Sequence, residues 1–166
     1  MKYLLVILIL ISFFIDKNIF NQDIELLDKN GLKVSMQNIP INKDTVLLTL
    51  WASWCSPCIK ELDSLKSIIS GRNIQVVAIA VGIGESISDE KQLIISHQWN
   101  YNFYFDRNEK VKEYLINEKI LLEGDYLSDK NGKIVFSIPW NFVYVEGKYI
   151  VKSKTLDCIN YFLWDH

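Results

Sequence analysis

The sequence has little of what many chemistry-bearing motifs need. It carries only three cysteines and two histidines in 166 residues. A structural zinc takes about four ligands, usually supplied by two close pairs, so no metal is expected. The few glycines, Gly82 and Gly84 among them, compose no phosphate loop and no dinucleotide fingerprint. No nucleotide, nicotinamide or flavin cofactor is therefore expected. A formal net charge of −2 withholds the basic face that a nucleic-acid partner wants. There is no internal repeat and no low-complexity tract. What is present is apolar: hydrophobic residues make up 49% and aromatics 13%, ample for a core. A chain of this length forms one main domain.

The longest apolar run is residues 1–15, "MKYLLVILILISFFI", where Lys2 precedes about a dozen apolar residues before Asp16 and Lys17. That length suits a signal-peptide core better than a membrane span, which needs ~20 apolar residues. No small-x-small cleavage pattern stands out, and no cysteine near the end of the run invites a lipid. The expectation is export, to the periplasm or the outer face of the cytoplasmic membrane. Residues 3–15 are either cut away or kept as an anchor, and a buried N-terminal element of a cytosolic protein is the alternative. Residues 1–22 are thus set apart as signal or anchor plus a polar connector, and residues 23–166 as the domain.

Periodicity orders that domain. "IELLDKNGLKVSM" reads as two short strands around a turn at Lys29–Gly31. "TVLLTLW" (45–51) and "NIQVVAIAV" (73–81) are apolar runs of buried-strand length. Between them, Ile59, Leu62, Leu65 and Ile69 recur at helical spacing from Cys58 to Ser70, with Gly71 as the stop. A helix is expected around Ser88–Gln98, capped by Ser86 or Ser88. "YNFYF" (101–105) reads as a strand, and Asp106 with Glu109 as a capping-box-like start for a helix over 107–117. "KIVFSI" and "WNFVYV" flank Pro139, "YIV" returns after a turn at Glu146–Lys148, and "TLDCINYFLW" reads as a closing amphipathic helix. Residues 120–133 fit least well and are read as an inserted hairpin. The pattern predicts an α/β mixed sheet with an antiparallel edge.

The chemistry concentrates in "TLWASWCSPCIKEL" (49–62), where Cys55 and Cys58 sit at the junction of a buried strand and a helix. A sulfur at a helix N-terminus faces unpaired backbone N–H groups and the positive end of the helix dipole. Both favour the thiolate, which is the nucleophile. Cys58 stands one turn further in, placed to attack a mixed disulfide formed at Cys55. Pro57 lies in the first turn, where its missing N–H costs little. Three readings compete: a zinc clip, an inert staple and a redox pair. Zinc would have to recruit Cys158, His97 or His166, with no second pair in the chain. A staple closing a two-residue loop restrains little of the unfolded chain. The redox pair is the favoured reading.

"WASWCSPC" resembles the active-site motif of the thioredoxin superfamily, and "LDKNGLKVSM…TVLLTLWASWC" looks more specifically like the exported TlpA/ResA type of thiol–disulfide oxidoreductase. The resemblance covers roughly residues 24–164. It implies a thioredoxin-like fold, a central mixed sheet flanked by helices with an N-terminal β-hairpin. It implies Cys55 as attacking thiol, Cys58 as resolving thiol, and a redox-active disulfide between them. Trp54 would shield the pair and share the docking surface with Pro57. The family carries a cis-proline opposite the cysteines, with the residue before it pairing with substrate like an added strand. Pro139 fits, with Ile138 offering the backbone contact, which makes residues 118–136 longer than the family needs. Thioredoxins also hold a buried acid six residues before the first cysteine, where this chain has Thr49. "VGIGES" resembles a segment in which ResA-type proteins place an acid near the site, making Glu85 the candidate proton-relay carboxylate.

The resemblance thus implies an exported protein-disulfide reductase acting on exported protein cysteines, apocytochrome c for instance. A membrane-bound electron donor or thiol oxidoreductase would reset it. A peroxiredoxin-type thiol peroxidase and a non-catalytic thioredoxin-fold binding module are the alternatives. Cys158, amid "LDCINYFL", reads as a packed helical thiol.

Overall fold

The two apolar runs form the centre of one sheet. The structure, a computed structural model, describes residues 20, 23–82, 87–128, 134–135 and 137–156. Strand β3 (Thr45–Trp51) is buried along nearly its whole length, as is β4 (Ile74–Ala80) beside it. They pair in parallel, Leu48 opposite Val77, and β5 (Asn102–Phe105) adds in parallel to β4. Strand β8 (Trp140–Val145) joins the other side of β3 antiparallel, and β9 (Lys148–Ser153) follows through a turn at Glu146–Gly147. Both turn residues hold positive φ, 50° and 78°, as a tight hairpin requires. The hairpin of β1 (Glu25–Asp28) and β2 (Lys33–Ser35) closes the far edge against β5. The order is β2-β1-β5-β4-β3-β8-β9, antiparallel at both edges rather than one.

Alternation along the strands divides the core in two. Leu47 and Trp51 of β3 face helix α1 (Ser56–Ile69), whose Cys58, Leu62 and Leu65 are buried, and Leu93 of helix α2 (Ser88–Ser96) packs against the same cluster. Val46, Leu48 and Leu50 face the other way, onto Val111, Tyr114 and Leu115 of helix α3 (Lys110–Asn117). Phe20, within the connector expected to be polar, is almost fully buried there, edge-on to Tyr114 and Tyr144.

Two boundaries differ from expectation. Helix α3 starts at Lys110, not 107, because Asp106 receives the Lys110 and Val111 amides at 3.1 and 2.8 Å. Glu109 takes a left-handed φ of 55° and pairs with Lys112, so no reciprocal capping box forms. Helix α2 begins with Ser88 as its first helical residue, without a side-chain cap; Asp89 and Glu90 in that turn meet its dipole instead. Ser86 lies outside the described residues. Near the region read as an inserted hairpin, Leu127–Ser128 (β6) pairs antiparallel with Ile134–Val135 (β7), apart from the main sheet. The closing helix and Cys158 lie outside the described residues.

Asp106 is fully buried, and burial pushes its carboxyl up against the opposing pull of three backbone amides. Replacing Asp106 by Ala removes the side-chain acceptors of the Lys110 and Val111 amides at the start of α3. Urea denaturation should report a loss of about 1–2 kcal/mol, with Asp106→Asn retaining part of it.

Candidate active site

The first turn of α1 builds the site. Cys55 is its N-cap, with extended backbone (φ −93°, ψ 90°), and its Sγ accepts the Cys58 backbone N–H at 3.3 Å. The Cys55 carbonyl takes the Ile59 amide at 3.1 Å, closing the first helical turn. Pro57, exposed in that turn, offers no N–H where none is needed. Cys55 and Cys58 are joined in a disulfide (S–S 2.01 Å, Cα–Cα 5.3 Å). Both are buried, Cys55 the slightly more accessible of the two.

Ile138 and Pro139 close the site from the other side. Their peptide bond is cis, and the Ile138 carbonyl oxygen lies 3.8 Å from Cys55 Sγ. Pro139 is buried and Ile138 half-buried, touching both core clusters. Trp54 is 68% exposed, and its indole N–H reaches the Gly82 carbonyl at 3.4 Å. A groove of about 450 Å³ runs from Trp54 along α2, lined by Ser53, Asp89, Gln92, Leu93 and Ser96. Its floor is pinned by the Ser53 hydroxyl, which donates to the buried Glu90 at 2.7 Å. Glu85, the expected relay acid, lies outside the described residues.

One acid near the cysteines escaped the sequence reading. Glu61, one helical turn after Cys58, is half-buried and joins α1 to β8 and to Leu156 beyond β9. Its Oε2 accepts the Asn141 side-chain amide at 2.9 Å, and its Oε1 accepts the Leu156 backbone N–H at 3.2 Å. Asn141 is fully buried on β8, in register with Thr49 on β3. The carboxylate thus approaches from the helix the strand position that Thr49 leaves uncharged. An acid three residues after the second cysteine, on a helix, was the available signal.

Aromatic packing holds α1 against the sheet. Asp63 receives the Trp99 indole N–H at 2.8 Å and lies 2.9 Å from His97 Nδ1. Trp99 meets Trp51 edge-on at 5.6 Å. Tyr101 donates to the Leu62 carbonyl at 3.0 Å, and burial together with the Asp63 charge pushes its phenol up to about 12.

The matched sequence runs through the same segment. The model of the AhpC/TSA family matches residues 21–137. The chain belongs to the AhpC/TSA family. It is 31% identical over 71 residues to the thioredoxin-like protein YneN of Bacillus subtilis, a stretch of 43% of this chain and 41% of that protein. The chain therefore spans about two-fifths of that curated relative. Among solved structures it resembles the thioredoxin domain of a thiol-disulfide oxidoreductase from Bacteroides vulgatus (TM-score 0.59, 18% identity, 84% of this chain and 92% of that one). It also resembles a secreted Mycobacterium tuberculosis disulfide oxidoreductase described as homologous to E. coli DsbE (TM-score 0.58, 11% identity, 91% and 99%). These likenesses bear out the thioredoxin-like fold and the resemblance to TlpA-like members of the thioredoxin superfamily.

Within this AhpC/TSA-family chain, Trp54 has little to do with folding, since most of its ring meets solvent. Trp54→Ala should change stability by no more than about 0.5 kcal/mol. It should slow disulfide exchange with a protein substrate about tenfold while sparing a small-molecule disulfide. Single-turnover rates with both substrates check this.

Proposed function

We propose that the protein is an exported thiol–disulfide oxidoreductase that works as a reductase of protein disulfides. The observation that carries this reading is the Cys55 sulfur, held at a helix N-terminus by the Cys58 amide and faced by the Ile138 backbone. In the reduced protein the Cys55 thiolate attacks one sulfur of a substrate disulfide, forming a mixed disulfide and releasing the other substrate sulfur as a thiolate that takes up a proton. Cys58 then loses its proton and attacks Cys55 Sγ. The Cys55–Cys58 bond forms, the mixed disulfide breaks, and the second substrate sulfur leaves and is protonated. Two electrons have passed to the substrate, and a membrane-bound donor or thiol oxidoreductase must return them. Glu61 is the base for Cys58, placed one turn away and held by two donors.

Trp54, Pro57, Ile138 and Pro139 form the docking edge, where an extended substrate segment adds to the Ile138 backbone like a further strand. Glu85 is retained as a second carboxylate of the proton path. Export rests on the leader-like residues 1–15 and on the secreted M. tuberculosis likeness. Among the described residues no helix is long and apolar enough to cross a membrane. Exported protein cysteines, apocytochrome c among them, are the proposed substrates.

The Cys58→Ser variant tests this reading, because it removes the resolving thiol and leaves the attacking one. It should accumulate mixed disulfides through Cys55 with exported proteins, seen as reducible adducts on non-reducing gels. No adduct, or adducts that persist when Cys55 is also replaced, would contradict the proposal. The family match keeps a thiol peroxidase as the second reading. The reductase reading expects the reduced protein to consume peroxide no faster than a simple dithiol.

A further inference from the structure

Asn141 is a polar side chain with no solvent exposure, two residues beyond the cis-proline, on the face of the sheet that meets α1. Burying an amide is costly unless it is hydrogen-bonded. Its Nδ2 has a partner, the Glu61 carboxylate, whereas its Oδ1 is buried without one. Cross-strand Thr49 is likewise buried. Among these residues only Glu61 can carry a charge, and it shares a helix with both cysteines.

We infer that Asn141 is a positioning residue for the resolving step: with the Leu156 amide it holds the Glu61 carboxylate ionised and fixed beside the helix turn that carries Cys58. The inference rests on the exchange reading above, with Glu61 as base. Hydrogen bonds from amides favour the charged form of a carboxylate that burial would otherwise neutralise. The proton moves from Cys58 Sγ to the Glu61 carboxylate, leaving a Cys58 thiolate and a neutral Glu61. That thiolate attacks Cys55 Sγ, and the proton is then available to the departing substrate thiolate.

The titratable groups on the neighbouring elements are engaged or placed as follows. On α1, Cys55 and Cys58 are the reacting sulfurs, Lys60 is exposed, and Asp63 is turned to His97 and Trp99. Strand β3 carries no ionisable side chain, and Tyr144 of β8 lies in the opposite core cluster. On β9, Lys148 and Tyr149 lie at the turn end. Lys152 is paired with Asp125 and the Ile120 carbonyl, and Lys154 beyond β9 lies over the Trp140 ring. The Asn141 and Leu156 amides each donate to one oxygen of Glu61, and both favour its charge.

The test is the pH profile of single-turnover reduction of a protein disulfide by Asn141→Leu, by the near-isosteric Asn141→Asp, and by Asn141→Leu combined with Glu61→Gln. Asn141→Leu should move the midpoint of the resolving limb up by about one to two pH units. It should leave Cys55 attack, measured in the Cys58→Ser background, within about twofold. Asn141→Asp should also move the midpoint up, because two adjacent carboxylates share a proton. In the Glu61→Gln background Asn141→Leu should add no further shift. An unmoved profile in the folded Asn141→Asp protein, or an equal shift without Glu61, overturns the role of Asn141. Loss of Cys55 adducts altogether is a different result, and it overturns the exchange reading as well.

Discussion

A single hydrogen bond organises the site: the Cys58 amide donating to the Cys55 sulfur at the first turn of α1. It exists because β3 ends at Trp51 and the chain needs only a short turn before the helix begins. That turn brings the sulfur to the end of a helix whose first amides have no carbonyl partners. The disulfide and the facing Ile138 carbonyl are arranged around this one sulfur, and the indole of the preceding Trp54 reaches the Gly82 carbonyl. The parallel β3–β4 pair fixes where the helix starts, and antiparallel β8 fixes where the Ile138–Pro139 corner meets it.

A second constraint is where charge can be kept in a site this dry. The strand position before the cysteines holds Thr49, which cannot ionise, and the acid instead rises from α1. That exchange needs a donor on the neighbouring strand, and Asn141 supplies it from a position where a buried amide is otherwise a liability. Charge is moved from strand to helix, and strand polarity is altered to suit, which is the consistency between levels expected of a foldable sequence.

Much of this was legible beforehand. The runs 45–51 and 73–81 are long and mostly apolar because both faces of the strands are covered, a pattern that survives without any tertiary information. Cys55 and Cys58 stood out because the pair falls at a strand–helix junction, and Pro139 because the family resemblance expects a cis-proline ahead of a strand–turn–strand. Glu61 was not, since an acid on an amphipathic helix looks like solvent-facing polarity until Asn141 is seen across from it. The start of α3 was misjudged because Asp106 reaches four and five residues ahead instead of closing a capping box with Glu109. Phe20 was hidden by its polar neighbours, for burial of one aromatic in a connector has no periodic signature.

The central claim is that the fold makes the Cys55 sulfur unusually ready to ionise. It is tested most directly by the pH dependence of alkylation of the fully reduced protein, resolved cysteine by cysteine by mass spectrometry. The account predicts a midpoint for Cys55 well below the ~8.5 of a free thiol, with Cys58 titrating higher. A Cys55 midpoint at or above that of a free thiol would contradict it.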